Sequence, residues 1–193
     1  MKIITIFAMG SGGEIAANST DNFGLPWPKN QEDMDFVNDK LKEYSGEKSA
    51  IMMTSATWKS LPESLQNKLN ATYAQVVLSG RNGGLELPYP VNNEDFAKVF
   101  KQGIELVLYR YIDTIVYFGS PKFLAQMVSI SDITYVTIID NPIAESELCP
   151  DYRVKHLPMH VRVSLIKVMP KVKIKDITNG TIYKVASKQY ETV

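Results

Sequence analysis

Residues 114–139 read TIVYFGSPKFLAQMVSISDITYVTII. An apolar run from Thr114 to Phe118 stops at Gly119, Pro121 opens a segment reaching Val128, and a second apolar run covers Asp132 to Ile139. Proline lacks the N–H that a helix's first turn leaves unused, so this spacing predicts strand, helix, strand. A helical crossover returns the chain to the same end of a sheet, which makes the two strands parallel. The same pattern extends toward the N-terminus. Ile3 to Met9 is an apolar strand bounded by Gly10 and Gly12-Gly13. Ser11 to Pro28 reads as one long loop, the kind of segment that carries function in a compact domain. A helix is expected from Lys29 or Asn30 to about Glu43, with Met34, Val37 and Leu41 on its apolar side. Ala50 to Met53 is a strand, Ser55 to Leu61 a short helix stopped near Pro62, and Ala74 to Leu78 a strand ended by Ser79-Gly80-Arg81-Asn82-Gly83-Gly84. Asn93 is placed to cap a helix from Glu94 to about Leu108.

The C-terminal part differs. Val161 to Met169 and Val172 to Ile177 alternate in polarity, Asn179-Gly180 is a type I′ turn signal, and Thr181 to Val185 alternates again. The expected fold is α/β: a central, mostly parallel sheet flanked by helices, with an antiparallel C-terminal hairpin at one edge. All 193 residues form a single domain in this reading.

Composition narrows the function classes. Lys plus Arg is 21 and Asp plus Glu is 21, so bulk charge does not drive nucleic-acid binding. A single cysteine, Cys149, excludes an internal disulfide framework, and Pro158 between His156 and His160 argues against a helical zinc pair, so no metal site is expected. The N-terminal apolar run is too short for a membrane span and no cleavage site follows it. The expectation is a cytoplasmic protein with a small-molecule substrate, and neither a nucleic-acid nor a membrane partner.

Ligands of parallel sheets bind at the carboxyl ends of the strands. The segments there are Gly10 to Pro28, Thr54 to Thr57, Ser79 to Gly84, and Gly119 to Pro121. Their glycines and helix starts suit a pyrophosphate. Glu32 and Phe36 lie one turn apart on the first expected helix, soon after Leu25-Pro26-Trp27. Turned inward beside aromatics, Glu32 would be desolvated, its pKa raised, and able to hold an amidine-like ring edge at two points. Turned outward, it is a solvated member of an acidic first turn with Asp33 and Asp35, favoured by the helix dipole. Spacing leaves both open.

Taken with these residues, the chain resembles the dihydrofolate reductase family over roughly residues 3–152. The motifs are Leu25-Pro26-Trp27 with Glu32 and Phe36; Ile51-Met52-Met53-Thr54-Ser55-Ala56-Thr57-Trp58-Lys59-Ser60-Leu61-Pro62; Val76-Val77-Leu78-Ser79; Thr114 to Ser120; and Thr134 to Asp140, followed by Pro150-Asp151-Tyr152. The resemblance, to a divergent phage-type or bacterial form, implies hydride transfer from NADPH to a pterin in tetrahydrofolate biosynthesis. It implies that Glu32 holds the pterin and assists its protonation, that Thr137 bonds that carboxylate or the pterin amino group, and that Trp27 closes the wet side. Ile6, Phe7, Phe36, Leu61 and Phe118 would line the ring pocket. Ala8, Ile15, Thr57, Ser79, Arg81, Gly119 and Ser120 would contact the cofactor. The chain departs from the family pattern at Thr54, Ser55 and Ser120. It also has Tyr73 where an arginine normally holds the substrate's glutamate tail, with Lys68 as a possible point charge, and Asp33 where an apolar residue is usual. These departures keep two other readings open: a reductase of a tail-less pterin or pyrimidine, and a catalytically degenerate structural or nucleotide-binding relative.

Overall fold

β1 (Lys2–Gly10) runs through the centre of the structure, a computed structural model that describes residues 2–17, 24–79, 112–119, 123–140, 153–168 and 171–186. Successive side chains of a strand point to opposite faces. Ile3, Phe7 and Met9 accordingly enter one apolar cluster, and Ile4 and Ile6 the other. β3 (Gly46–Thr54) divides in the same way, Ala50 and Met52 to one side, Ile51 and Met53 to the other. Strands buried on both faces read as continuous apolar runs, which is why the sequence pattern was legible here.

β4 (Tyr73–Ser79), β5 (Thr114–Phe118) and β6 (Ile133–Ile139) complete the parallel part, and β8 (Lys171–Ile177) and β9 (Gly180–Ala186) add the antiparallel hairpin. The sheet order is β4-β3-β5-β1-β6-β9-β8. This is the expected α/β architecture with its edge hairpin. One face is covered by α1 (Gln31–Glu43) and α3 (Glu63–Thr72). The other is covered by α4 (Leu124–Ile130) and by α5 (Met159–Val163) with the π-helical turn Ser164–Val168 that follows it. A shorter helix, α2 (Ser55–Ser60), is capped by the Thr54 hydroxyl, which accepts from Thr57 N at 3.3 Å. No helix among the described residues is long and apolar enough to cross a membrane.

Several local expectations are corrected. The segment Ser11 to Pro28 is not all loop, since β2 (Glu14–Ala17) pairs antiparallel with β7 (Val154–His156). Residues 63–72 form α3, unread in the sequence, with Pro62 at its start. Val161 to Val168 is helical rather than extended. Its apolar residues satisfy both periods, and Val161 and Leu165, one turn apart, bury in the α4-side cluster. Met34 is 40% exposed, and α1 turns Asp33, Val37 and Leu41 toward the sheet instead. The hairpin turn is centred on Thr178-Asn179, one residue earlier than the type I′ reading, with positive φ on Asn179 alone. The helix expected from Pro121 to Val128 is found as α4, but it starts at Leu124 with Phe123 as its N-cap and runs to Ile130; the helix from Glu94 to Leu108 lies outside the described residues.

Gly180 lets this hairpin close onto the sheet. It pairs with Ile139, and a Cβ there would stand 2.6 Å from the Ile138 carbonyl oxygen. Gly180→Ala is therefore expected to cost about 1–3 kcal/mol of stability, because backbone must move. Urea unfolding should show a lowered midpoint at unchanged slope.

Candidate functional site

Strand register assembles the site. Ala8 pairs with Thr137, Ile6 with both Tyr135 and Phe118, and paired residues share a face. That face is the one covered by α1. Phe36 and Leu61 pack against the same cluster. The structure thus brings Ile6, Ala8, Phe36, Leu61, Phe118 and Thr137 to one side of the sheet. Phe7 is a correction. As the strand neighbour of Ile6 it must point the other way, and it is buried in the α4-side cluster. Ile15, expected at a cofactor, is packed in that same cluster from β2.

The carboxylate beneath this face is Asp33, not Glu32. Asn30 caps α1, its Oδ1 accepting from Asp33 N at 3.0 Å. Asp33 then heads the inward stripe that continues through Val37 and Leu41. Its half-buried side chain accepts a hydrogen bond from the Thr137 hydroxyl at 2.5 Å, and Thr137 itself is 2% exposed. Burial raises the Asp33 pKa above the usual aspartate value, and the Thr137 hydroxyl offsets part of that rise by stabilising the ionised form.

Glu32 takes the outward alternative. Its Oε2 accepts from Thr178 N at 2.7 Å and from Thr178 Oγ1 at 2.8 Å, and Lys175 Nζ lies 3.4 Å from Oε1. The Thr178 backbone bond, first among these contacts, holds the Glu32 pKa below its usual value. A helix advances 100° per residue, so adjacent carboxylates cannot share an environment. The sequence signal for Asp33 is its four-residue spacing from Val37 and Leu41, which puts it in line with them.

Trp27 is 2% exposed and packs with Ile139, Ile177 and Ile182 at the α1–hairpin junction. Beside it lies a cleft of ≈ 290 Å³ whose walls include Trp27, Asn30, Glu32, Asp140 and Thr178. At the other end of the face, Gly119 has φ 62, which favours glycine, and its N–H donates to Ile6 O at 3.2 Å. A Cβ on Gly119 would stand 3.8 Å from Thr57 Cγ2, an ordinary van der Waals distance, so the end of β5 lies beside α2. Thr57 Oγ1 is 3.1 Å from Thr54 Oγ1. The backbone of Ser79 ends β4 beside Thr54. Arg81 and Ser120 lie outside the described residues. Tyr73 is buried, its hydroxyl donating to Leu41 O at 2.7 Å, and Lys68 lines a narrow groove between α1 and α3 with Lys42.

No family model matches the chain, and no curated protein matches it. Among solved structures it is similar to a dihydrofolate reductase from Enterococcus faecalis complexed with NADP(H) and RAB-propyl. The TM-score is 0.51 and the identity 15%, over 96% of this chain and 95% of that chain. At that identity the likeness establishes the fold, which is dihydrofolate reductase-like.

The raised Asp33 pKa has a consequence for stability. Between the ordinary aspartate pKa and the raised value, the folded state keeps a proton that the unfolded state releases. Folded stability therefore falls as pH rises through that window. Asp33→Asn, whose Oδ1 can still accept from Thr137, is expected to raise Tm relative to the unmutated protein at about pH 8, with the gap closing toward about pH 4. Thermal unfolding across pH checks this.

Proposed function

We propose that the protein reduces dihydrofolate to tetrahydrofolate with NADPH, and that Asp33 takes the role expected of Glu32. The observation that carries this reading is one half-buried carboxylate, held by Thr137 at the carboxyl end of a parallel sheet, on the face shared with Ile6, Ala8, Phe36 and Phe118. An ionised Asp33 presents two oxygens to paired N–H donors of an amino-pyrimidine edge. Thr137 fixes the orientation of that carboxylate. Ile6, Phe36, Leu61 and Phe118 supply apolar contact for the ring and exclude water around it.

The cofactor's fit rests on the bare, left-handed backbone of Gly119 at the end of β5 and on Thr57 of α2 beside it. Those residues, with Ala8 and the end of β4, would hold a dinucleotide. When bound, it supplies the hydride that no amino acid side chain can donate. The reaction also consumes one proton, and a carboxyl whose pKa is raised by burial suits the relay of that proton to the ring nitrogen through water.

A second reading has its own support. Tyr73 stands where an arginine would hold a glutamate tail, and its hydroxyl is directed to Leu41 O. This favours a reductase of a tail-less pterin. Lys42 and Lys68, in the groove between α1 and α3, favour an anionic tail held by point charges.

The deciding assay follows NADPH absorbance with dihydrofolate and with a tail-less pterin. Turnover is expected with dihydrofolate, its kcat/KM falling as pH rises through the raised Asp33 pKa. Asp33→Asn should lower kcat/KM by on the order of 10²–10⁴-fold and flatten the pH profile. Asp35→Asn, on the exposed side of α1, should leave both unchanged. Absence of turnover by the unmutated protein on either substrate would defeat the reductase reading. A lower KM for the tail-less pterin would favour the second.

A further inference from the structure

Thr178, at the tip of the edge hairpin, has all its polar groups engaged by the first turn of α1. Its N–H and hydroxyl donate to Glu32 Oε2 at 2.7 and 2.8 Å, and its carbonyl accepts from Asn30 Nδ2 at 2.6 Å. Asn30 at the same time caps Asp33 N. The next residue closes the circuit, because Asn179 O accepts from Asp140 N at 2.8 Å, just beyond the end of β6. The hydrogen bonds therefore run in a ring: Thr137 on β6 to Asp33, along the capped turn to Asn30 and Glu32, across to Thr178, and back through Asn179 to β6. Gly180 permits this by letting the hairpin come against Ile138 without a Cβ.

We infer that Thr178 and Glu32 are positioning residues for the Asp33 carboxylate: the hairpin tip anchors the start of α1 so that Asp33 stays pressed against Thr137. This rests on the reductase reading only for its effect on turnover. The bonds at Thr178 are solvent-exposed and individually weak, so their effect is geometric. A helix start tied at one point pivots; tied through Asn30 and Glu32 to one residue, it keeps the spacing that Asp33 needs. The hinge side is supplied by Trp27, packed on Ile177 and Ile182 of the same hairpin. The influences on Asp33 are its burial and the Thr137 hydroxyl, while Glu32 points away to Thr178 and Lys175.

The test uses Glu32→Ala, which removes both bonds to its Oε2, and Thr178→Val, which removes the hydroxyl's bond alone, with Glu32→Gln and Thr178→Ser, which keep an acceptor and a hydroxyl. The first pair should lower kcat/KM by on the order of 10–100-fold, as misplacement of a working group does, and the second pair should recover most of it. Independently of turnover, NMR titration of ¹³C-labelled aspartates should show the Asp33 midpoint move down toward an ordinary aspartate in the first pair, because a loosened turn hydrates it. That midpoint should stay in place in the second pair. An unmoved Asp33 midpoint in Glu32→Ala and Thr178→Val would overturn the inference. So would Glu32→Gln being as impaired as Glu32→Ala, since charge rather than anchoring would then be at work. If the unmutated protein fails to turn over dihydrofolate, the reductase reading falls, and the titration still decides the positioning role.

Discussion

β1 must satisfy two neighbours and two faces at once. It pairs in parallel with β5 on one side and with β6 on the other, and its side chains feed both apolar clusters. A strand in that position cannot slip by one residue without sending Ile4 and Ile6 to the wrong layer. Its register therefore fixes which ends of β5 and β6 meet, and so where Ala8, Phe118, Gly119 and Thr137 come together. The geometry of the site descends from that alignment.

Against this fixed floor, the phase of α1 decides which carboxylate meets the sheet. The helix presents two adjacent carboxylates, and 100° of rotation separates their fates. One is half-buried and bonded to Thr137; the other reaches the hairpin tip and a lysine. Burial raises the pKa of the first, and hydrogen bonding lowers that of the second. Two groups of nearly the same intrinsic acidity are thus driven apart by environment alone, an arrangement that enzymes use to separate acid–base work from scaffolding. The hairpin does more than cover an edge, since its turn supplies Thr178 and Asn179 to hold the helix start against β6.

Period-based reading went wrong where one pattern fits two structures. Val161, Val163 and Leu165 alternate like a strand, yet Val161 and Leu165 are also one helical turn apart, and burial against α4 selected the helix. β2 and β7 are too short to leave a pattern, and each exists only because the other lies alongside. Ile6 and Phe7, expected together in the ring pocket, are separated by the strand's own period of two.

The sequence by itself determined the layered α/β architecture and the parallel core strands. Those follow from local apolar runs, turn residues and helix caps, which act over a few residues. It also contained both carboxylates of the first turn. Which of them faces the sheet was settled only by tertiary structure. The rotation of α1 is set by Leu41 and Val37 entering the core, by Asn30 capping the turn, and by Thr178 meeting Glu32 from 146 residues away. A helix's phase relative to a sheet is a property of that packing; spacing along the chain offers two lines, Asp33–Val37–Leu41 and Glu32–Phe36, and does not choose between them.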